Sequence, residues 1–99
     1  MKYVIISAFD AVQEASMPLQ CIQDMLDEDI IESHRRAVLM KKIPAEIGVN
    51  LVIFKYGTFD DKTGVIDLLD YPVKLCALAP FYKTATVAQS EATQNDVQK

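Results

Sequence analysis

Residues 49–56 read VNLVIFKY, and this stretch decides the fold. Apolar β-branched and aromatic side chains occupy both alternating sides of it, which is typical of a strand buried on its two faces. Residues 2–8, KYVIISA, have the same character. We therefore predict that these two stretches are interior strands of one sheet.

The segment between these strands has the spacing of an amphipathic helix. Its apolar residues recur at intervals of three and four, at Leu19, Ile22, Leu26 and Ile30. Ser16 can act as the N-cap, and Pro18 is tolerated in the first turn because a residue there needs no N–H partner. We predict one long helix over about residues 17–42, continuous or broken near Asp29.

Charge along this segment follows the order that a helix favours. Seven acidic and no basic residues lie between positions 10 and 32, whereas four basic and no acidic residues lie between positions 33 and 42. Negative charge near the start of a helix and positive charge near its end both interact favourably with the helix dipole. The alternative for residues 35–43, which include the apolar run AVLM, is a strand that forms a hairpin with the next one.

Beyond Tyr56 the sequence indicates further strands joined by turns. Residues 57–64, GTFDDKTG, have the composition of a hairpin connection in which Gly64 can take a positive φ. We predict a short strand over residues 65–69, a turn at Asp70-Tyr71-Pro72 and another strand over residues 73–78.

The predicted order is strand, helix, strand, strand, strand, in the α+β class. A helical crossover favours parallel pairing of the first two strands, so the expected sheet is mixed and four-stranded, with the long helix packed on it. One helix leaves part of such an apolar sheet uncovered, and self-association as a homodimer would bury the surplus. We expect a single domain over residues 1–87 and a disordered polar tail over residues 88–99.

Composition limits the class of partner. The chain has 99 residues and a formal net charge of −4, whereas proteins that bind phosphate backbones normally carry positive charge, so nucleic acid is disfavoured. The apolar run at the N-terminus ends at Asp10 and is too short for a signal-peptide core or a membrane span. We expect a cytoplasmic protein with no membrane association.

Five acidic residues form the first candidate site: Asp24, Asp27, Glu28, Asp29 and Glu32. Their spacing is not that of a calcium loop, because the turn glycine and the alternating oxygen ligands are missing. The run is either a solvated helix face or a surface for a protein partner with a basic surface. The aromatic residues Tyr71, Phe81 and Tyr82 are either a flank of the core or interface anchors.

A polar pocket is the other candidate. His34, the single histidine, could act as a general acid or base because its ordinary pKa lies near neutrality. Tyr56 and Asp67 are further polar groups for a pocket between sheet and helix. No partner base or nucleophile can be assigned to His34, and one histidine cannot build a His-rich metal site, so neither a metal nor a cofactor is predicted.

Since no catalytic motif is present, the leading hypothesis is a non-enzymatic binding protein. It would regulate or inhibit another macromolecule through an acidic helix face or an exposed sheet edge. In size and charge the chain is similar in general character to host-directed proteins of phages and mobile elements, a likeness that transfers no residue role. The alternatives are a small dimeric enzyme or ligand-binding domain with a pocket between sheet and helix, and a nucleic-acid-binding protein.

Overall fold

Two long strands at the centre of one antiparallel sheet organise the computed structural model, which describes residues 1–83. They are β1 (Lys2–Asp10) and β4 (Leu51–Asp60). β5 (Ile66–Ala77) pairs with the outer edge of β4, and the short strands β2 (Ala15–Ser16) and β3 (Gln20–Gln23) both pair with the other edge of β1.

Helical segments join and follow these strands. α1 (Asp27–Leu39) and the short α2 (Ala45–Gly48) connect β3 to β4, and residues 79–83 are helical. The predicted α+β class is confirmed. The predicted domain end at residue 87 and the predicted tail over residues 88–99 lie outside the described residues.

The interior position predicted for the first strand is confirmed. Val4, Ile5 and Ile6 keep only 1%, 6% and 2% of their surface exposed, although they alternate between the two faces of the sheet. On one face Val4 and Ile6 pack with the α1 residues Ile30 and Val38. The core is completed from the other strands and the start of the last helical segment by Leu51, Ile53 and Leu78.

The prediction of one helix over residues 17–42 is wrong at both ends. α1 begins at Asp27 and ends at Leu39, and residues 20–23 form β3 instead. The reason is the free edge of β1: a buried strand has backbone N–H and C=O groups on both sides, and they must be hydrogen-bonded. β3 supplies these partners, with Cys21 opposite Ile5 and Ile22 opposite Val4.

The missed strand also explains why the predicted parallel pairing is wrong. β1 and β4 are antiparallel, as are all neighbouring strands of the five-stranded sheet. The helical crossover starts from β3, and β3 and β4 both run antiparallel to β1. They are therefore parallel to each other with β1 between them, so the crossover joins parallel strands that are not neighbours.

The alternative strand over residues 35–43 is also wrong, since α1 continues to Leu39 and residues 40–44 link it to α2. The hairpin predicted over residues 57–64 is confirmed in its turn, where Gly64 has a φ of 74°. The predicted turn at Asp70-Tyr71-Pro72 does not separate two strands. β5 runs through it as an irregularity, because Lys55 pairs with Val73 while Gly57 pairs with Leu68.

The two long hairpins use the same turn. Asp10 follows Phe9 and Asp60 follows Phe59, and each carboxylate accepts a hydrogen bond from the backbone N–H two residues later, of Val12 and Lys62, at 2.9 Å. Glu14 and Gly64, each four residues after its aspartate, both have positive φ, 53° and 74°. Each hairpin precedes a helix, so the chain folds as two strand-strand-helix units with β1 and β4 as neighbours.

Two adjacent isoleucines of α1 differ in burial, and substituting each of them tests where the core lies. Ile30 is fully buried in the core cluster, while Ile31 is half-buried. Ile30→Ala should lower the free energy of unfolding by about 2–5 kcal/mol because it removes a buried side chain and leaves a cavity. Urea unfolding of both alanine variants measures this, and an equal or larger loss for Ile31→Ala would contradict the placement of the core.

Candidate functional site

The acidic run predicted as a binding site is partly used inside the molecule. The Lys55 Nζ donates a hydrogen bond to the Asp27 carboxylate at 3.0 Å and so links β4 to α1. Glu32 accepts hydrogen bonds from Arg35, with Nε at 2.8 Å, and forms an ion pair with Arg36 at 3.4 Å. In the described part of the chain, Asp24, Glu28 and Asp29 are exposed and make no ion pair.

The Glu32 carboxylate is stabilised in its charged form. Hydrogen bonds from Arg35, and the positive charges of Arg35 and Arg36, lower the pKa of Glu32 from its ordinary value of 4.5 to about 2. Asp27, Glu28 and Asp29 lie in the first turn of α1, where the helix dipole favours negative charge. Of the five acidic residues, Asp27 and Glu32 thus have partners within the chain.

The three polar groups proposed for one pocket lie apart. His34 lines a cavity of about 140 Å³ between α1 and the sheet, together with Ile6, Ser7 and Ile53. Tyr56 lines a different cavity, and Asp67 is exposed on β5 opposite Thr58. The structure therefore does not assemble His34, Tyr56 and Asp67 into one site.

Two polar groups of the cavity beside His34 contact backbone carbonyls. His34 Nδ1 lies 2.9 Å from the carbonyl oxygen of Ile30, and the Ser7 hydroxyl donates to the carbonyl oxygen of Met17 at 2.6 Å. A wider cleft of about 590 Å³ lies between the first hairpin and α2 and includes Asp10 and Glu46. The Asp10 carboxylate there is bonded to the turn.

The three aromatic residues predicted as interface anchors, Tyr71, Phe81 and Tyr82, lie in different environments. Tyr71 is 74% exposed, whereas Phe81 and Tyr82 pack against the core cluster. The Tyr82 hydroxyl donates a hydrogen bond to the carbonyl oxygen of Ile43 at 2.8 Å, and burial, with the nearby Glu46, raises the pKa of that hydroxyl. Phe81 and Tyr82 therefore flank the core, and Tyr71 is available to a partner.

The face of the sheet opposite α1 is rich in apolar side chains, and we call it the open face. Cross-strand partners lie on the same side of a sheet, and the observed register therefore assigns this face its apolar members: Tyr3, Ile5, Phe9, Val52, Phe54, Phe59, Ile66 and Leu68. The register also places the polar residues Ser7 and Lys74 on this face, as neighbours of Phe54. α1 and residues 79–83 pack on the other side. No helix of residues 1–83 covers the open face.

Aromatic contacts hold the open face together. Tyr3 stacks on Phe59 with ring centroids 6.3 Å apart, and Phe9 meets Phe54 edge to face at 6.4 Å. Both pairs join β1 to β4, and such pairs contribute about 0.5–1.5 kcal/mol beyond their buried area. These rings remain partly exposed, so the surface that they form is both ordered and accessible.

One end of the open face contains a cavity of about 200 Å³, which we call the apolar socket. It is lined by Phe9, Ser16, Phe54, Tyr56 and Pro72. All three long strands line the socket. Phe9 belongs to β1, Phe54 and Tyr56 belong to β4, and Pro72 lies in the irregular part of β5. The socket can hold one large apolar side chain.

The sequence predicted that part of the apolar sheet would stay uncovered, but it did not identify the residues of the open face. The signal was present in the alternation: Tyr3, Ile5 and Phe9 share one side of β1, and Val52 and Phe54 share one side of β4. Only the register of β1 against β4 shows that these two sides are the same face of the sheet.

Comparison with known proteins gave no match: no protein-family model, curated protein or solved structure matches this chain. No helix in residues 1–83 has both the length and the apolar character needed to cross a membrane. Within the same residues, no group of three or more His, Cys, Asp or Glu side chains is placed to hold a metal ion.

The pairing of Glu32 can be tested by titration. Because its folded pKa lies below the ordinary value, the stabilisation from this carboxylate is complete above about pH 4.5 and is lost as the pH falls toward about 2. Arg35→Ala should raise the pKa of Glu32 toward 4.5, as measured by NMR of the carboxyl carbon. Arg36→Ala is the control, and an equal or larger rise in that variant would assign the effect to the wrong arginine.

Proposed function

We propose that this chain is a small, non-enzymatic binding protein that regulates or inhibits another macromolecule through the open face of its sheet. One observation carries the proposal: aromatic side chains of two central strands line a face that no helix of the described residues covers. Contiguous apolar patches on soluble proteins mark sites of interaction. Aromatic residues are also the side chains most often found at the energetic centre of protein interfaces.

The apolar socket supports this proposal because it provides a place for an anchor. Its volume of about 200 Å³ suits one aromatic or large aliphatic side chain, and such anchors dominate the affinity of many interfaces. Ile66 and Leu68, exposed by 56% and 68%, extend the same face toward the edge of the sheet. The exposed sheet edge, which the sequence predicted as a binding surface, is thus one border of the proposed site.

Charge favours a protein partner with a basic surface. The chain carries a net charge of −4, and Asp67 and Asp70 are exposed on β5. Asp24, Glu28 and Asp29 add unpaired negative charge near the start of α1. A nucleic acid would be repelled by this balance, and a cytoplasmic protein is the partner class that we propose.

A second candidate function is binding of a small ligand beside His34. The cavity of about 140 Å³ lies between sheet and helix and contains the ring of His34, which is where a pocket was expected from the sequence. Its volume is below the roughly 300 Å³ that drug-sized ligands need. We therefore place this candidate after protein binding.

The open face can be tested with two matched substitutions. Ile66→Glu places a charge on the face beside Phe59, whereas Ile47→Glu makes the same change on α2 at a side chain of comparable exposure, 48% against 56%. We expect Ile66→Glu to weaken partner binding by about tenfold or more, because a buried unpaired carboxylate costs at least about 1–3 kcal/mol. Ile47→Glu should bind like the wild type.

The measurement combines affinity capture from the native cell, mass spectrometry and titration calorimetry of the purified pair. Circular dichroism must show that both variants are folded. Equal binding by Ile66→Glu and the wild type would remove the open face from the proposal. Absence of any stoichiometric partner under native conditions would count against the binding function itself.

His34→Ala separates the two candidate functions. His34 is half-buried and lies outside the open face, so the variant should keep its partner affinity within about threefold, a difference of less than 1 kcal/mol. If calorimetry shows that His34→Ala abolishes partner affinity while the fold is intact, the cavity beside His34 becomes the preferred site.

A further inference from the structure

The apolar socket is the neighbour of a second cavity with a different chemistry. That cavity is the cleft of about 590 Å³ between the first hairpin and α2. Ser16 lines both cavities. Phe9 and Asp10 are consecutive in β1, and Phe9 lines the socket while Asp10 lines the cleft. The two cavities therefore meet at the first hairpin, where one ligand can occupy both.

Two carboxylates, those of Asp10 and Glu46, give this cleft its charge, and we call it the acidic cleft. The other residues that line it in the described part of the chain are uncharged: Val12, Gln13, Ala15, Ser16, Met17, Ile47 and Asn50. The hydrogen bonds that Asp10 accepts from the backbone of Val12 and Gln13 both end on Oδ1. Within residues 1–83, the Oδ2 of Asp10 has no hydrogen-bond partner and Glu46 forms no ion pair. Both carboxylates can therefore accept hydrogen bonds from a ligand.

The walls of the acidic cleft suit a long basic side chain. Val12, Ala15 and Met17 provide apolar surface beside the two carboxylates. Arginine and lysine lay their apolar stems along such surface while the charged end reaches polar groups. The guanidinium of arginine has five N–H donors in a fixed fork that matches carboxylate oxygens. An arginine is therefore the side chain that fits this cleft best.

The contact between the two cavities limits how far apart their ligands can be in a sequence. Because Ser16 belongs to both walls, the socket and the acidic cleft are direct neighbours. An extended peptide advances about 3.3 Å per residue, and the side chain of arginine is longer than one such step. A bulky apolar residue and an arginine within about two positions of each other can thus fill both cavities.

We propose that the apolar socket and the acidic cleft together bind one short segment of the protein partner, with a bulky apolar side chain in the socket and a nearby arginine in the cleft. This binding mode rests on the proposed function, because the socket is part of the open face, and it adds the chemistry of the partner segment. The basic surface proposed for the partner thus gains a defined contact. Ile47→Glu adds a carboxylate to the cleft and does not oppose an arginine there, so it remains a control for loss of affinity.

Short peptides test the two halves of the site. The probe is a peptide of tryptophan, glycine and arginine, acetylated and amidated at its ends so that the arginine carries its only charge. In an NMR titration of the full chain, it should shift the backbone signals of Tyr56 in the socket and of Glu46 and Asn50 in the cleft. Replacing arginine by citrulline, which has a similar shape without the charge, should weaken binding by about tenfold. Replacing tryptophan by alanine should weaken it by about tenfold or more.

A double variant of the protein locates the arginine. Asp10→Asn with Glu46→Gln removes both charges of the cleft, while the asparagine oxygen can still accept the hydrogen bonds of the turn. This variant should bind the arginine peptide about tenfold more weakly and the citrulline peptide within about twofold of the wild type.

Asp60→Asn with Glu28→Gln is the matched control. It makes the same two changes at the equivalent turn of the second hairpin and at an exposed glutamate in the first turn of α1. Its net charge equals that of the first double variant, and neither residue lines the socket or the cleft. It should bind the arginine peptide within about twofold of the wild type.

The binding mode is overturned if the arginine peptide gives no saturable shifts, if the citrulline peptide binds equally well, or if both double variants lose the same affinity. Tighter binding of arginine amide alone than of the peptide would assign the cleft to a free small cation and would also overturn it. The partner captured from the native cell separates this result from the proposed function. If Ile66→Glu weakens that partner and Asp10→Asn with Glu46→Gln does not, the open face stands and the two-cavity binding mode fails.

Discussion

The antiparallel pairing of β1 with β4 is the contact on which the rest of the structure depends. The ladder runs from Lys2 opposite Asp60 to Asp10 opposite Leu51. Both strands are apolar on two faces, so each must be covered above and below and must also have its outer edge hydrogen-bonded. The outer edges are taken by β3 and β2 on one side and by β5 on the other. α1 covers one face, and aromatic side chains shield the other.

The repetition of a strand-strand-helix unit explains why one face stays open. Each half contributes one central strand and a hairpin turn anchored by an aspartate, Asp10 or Asp60. The helical segment that follows each hairpin packs against the same core cluster, through Ile30 and Val38 of α1 and through Phe81 and Tyr82. The opposite side therefore receives no helix from either unit, and its apolar side chains become the candidate surface.

Part of the acidic run is paired within the chain, since Asp27 binds Lys55 and Glu32 binds Arg35. Exposed ion pairs of this kind contribute little to stability, so their main consequence is that two of the five acidic groups already have partners within the chain. The aromatic pairs lie on the other side of the sheet. The partner that we propose for the open face would therefore be recognised mainly through apolar contact.

The sequence by itself determined the α+β class, the buried character of residues 2–8 and 49–56 and the hairpin turn at Gly64. These features are local, because an apolar run on both sides of a strand and a positive φ each depend on a few neighbouring residues. Local pattern failed for residues 19–23, where Leu19 and Ile22 fit a helix equally well. There the backbone of β1 lies alongside these residues, and its free edge requires a strand as hydrogen-bond partner.

Only the tertiary structure decided which residues form the candidate site. Tyr3 and Phe59 lie far apart in the sequence, yet their rings stack. This contact depends on the antiparallel register of β1 and β4, two strands that the sequence predicted as parallel. His34, Tyr56 and Asp67 seemed equally able to converge, yet the sheet holds them in different places. Alternation along a strand defines two sides, but pairing across the sheet decides which sides coincide, and pairing is a non-local property of the folded chain.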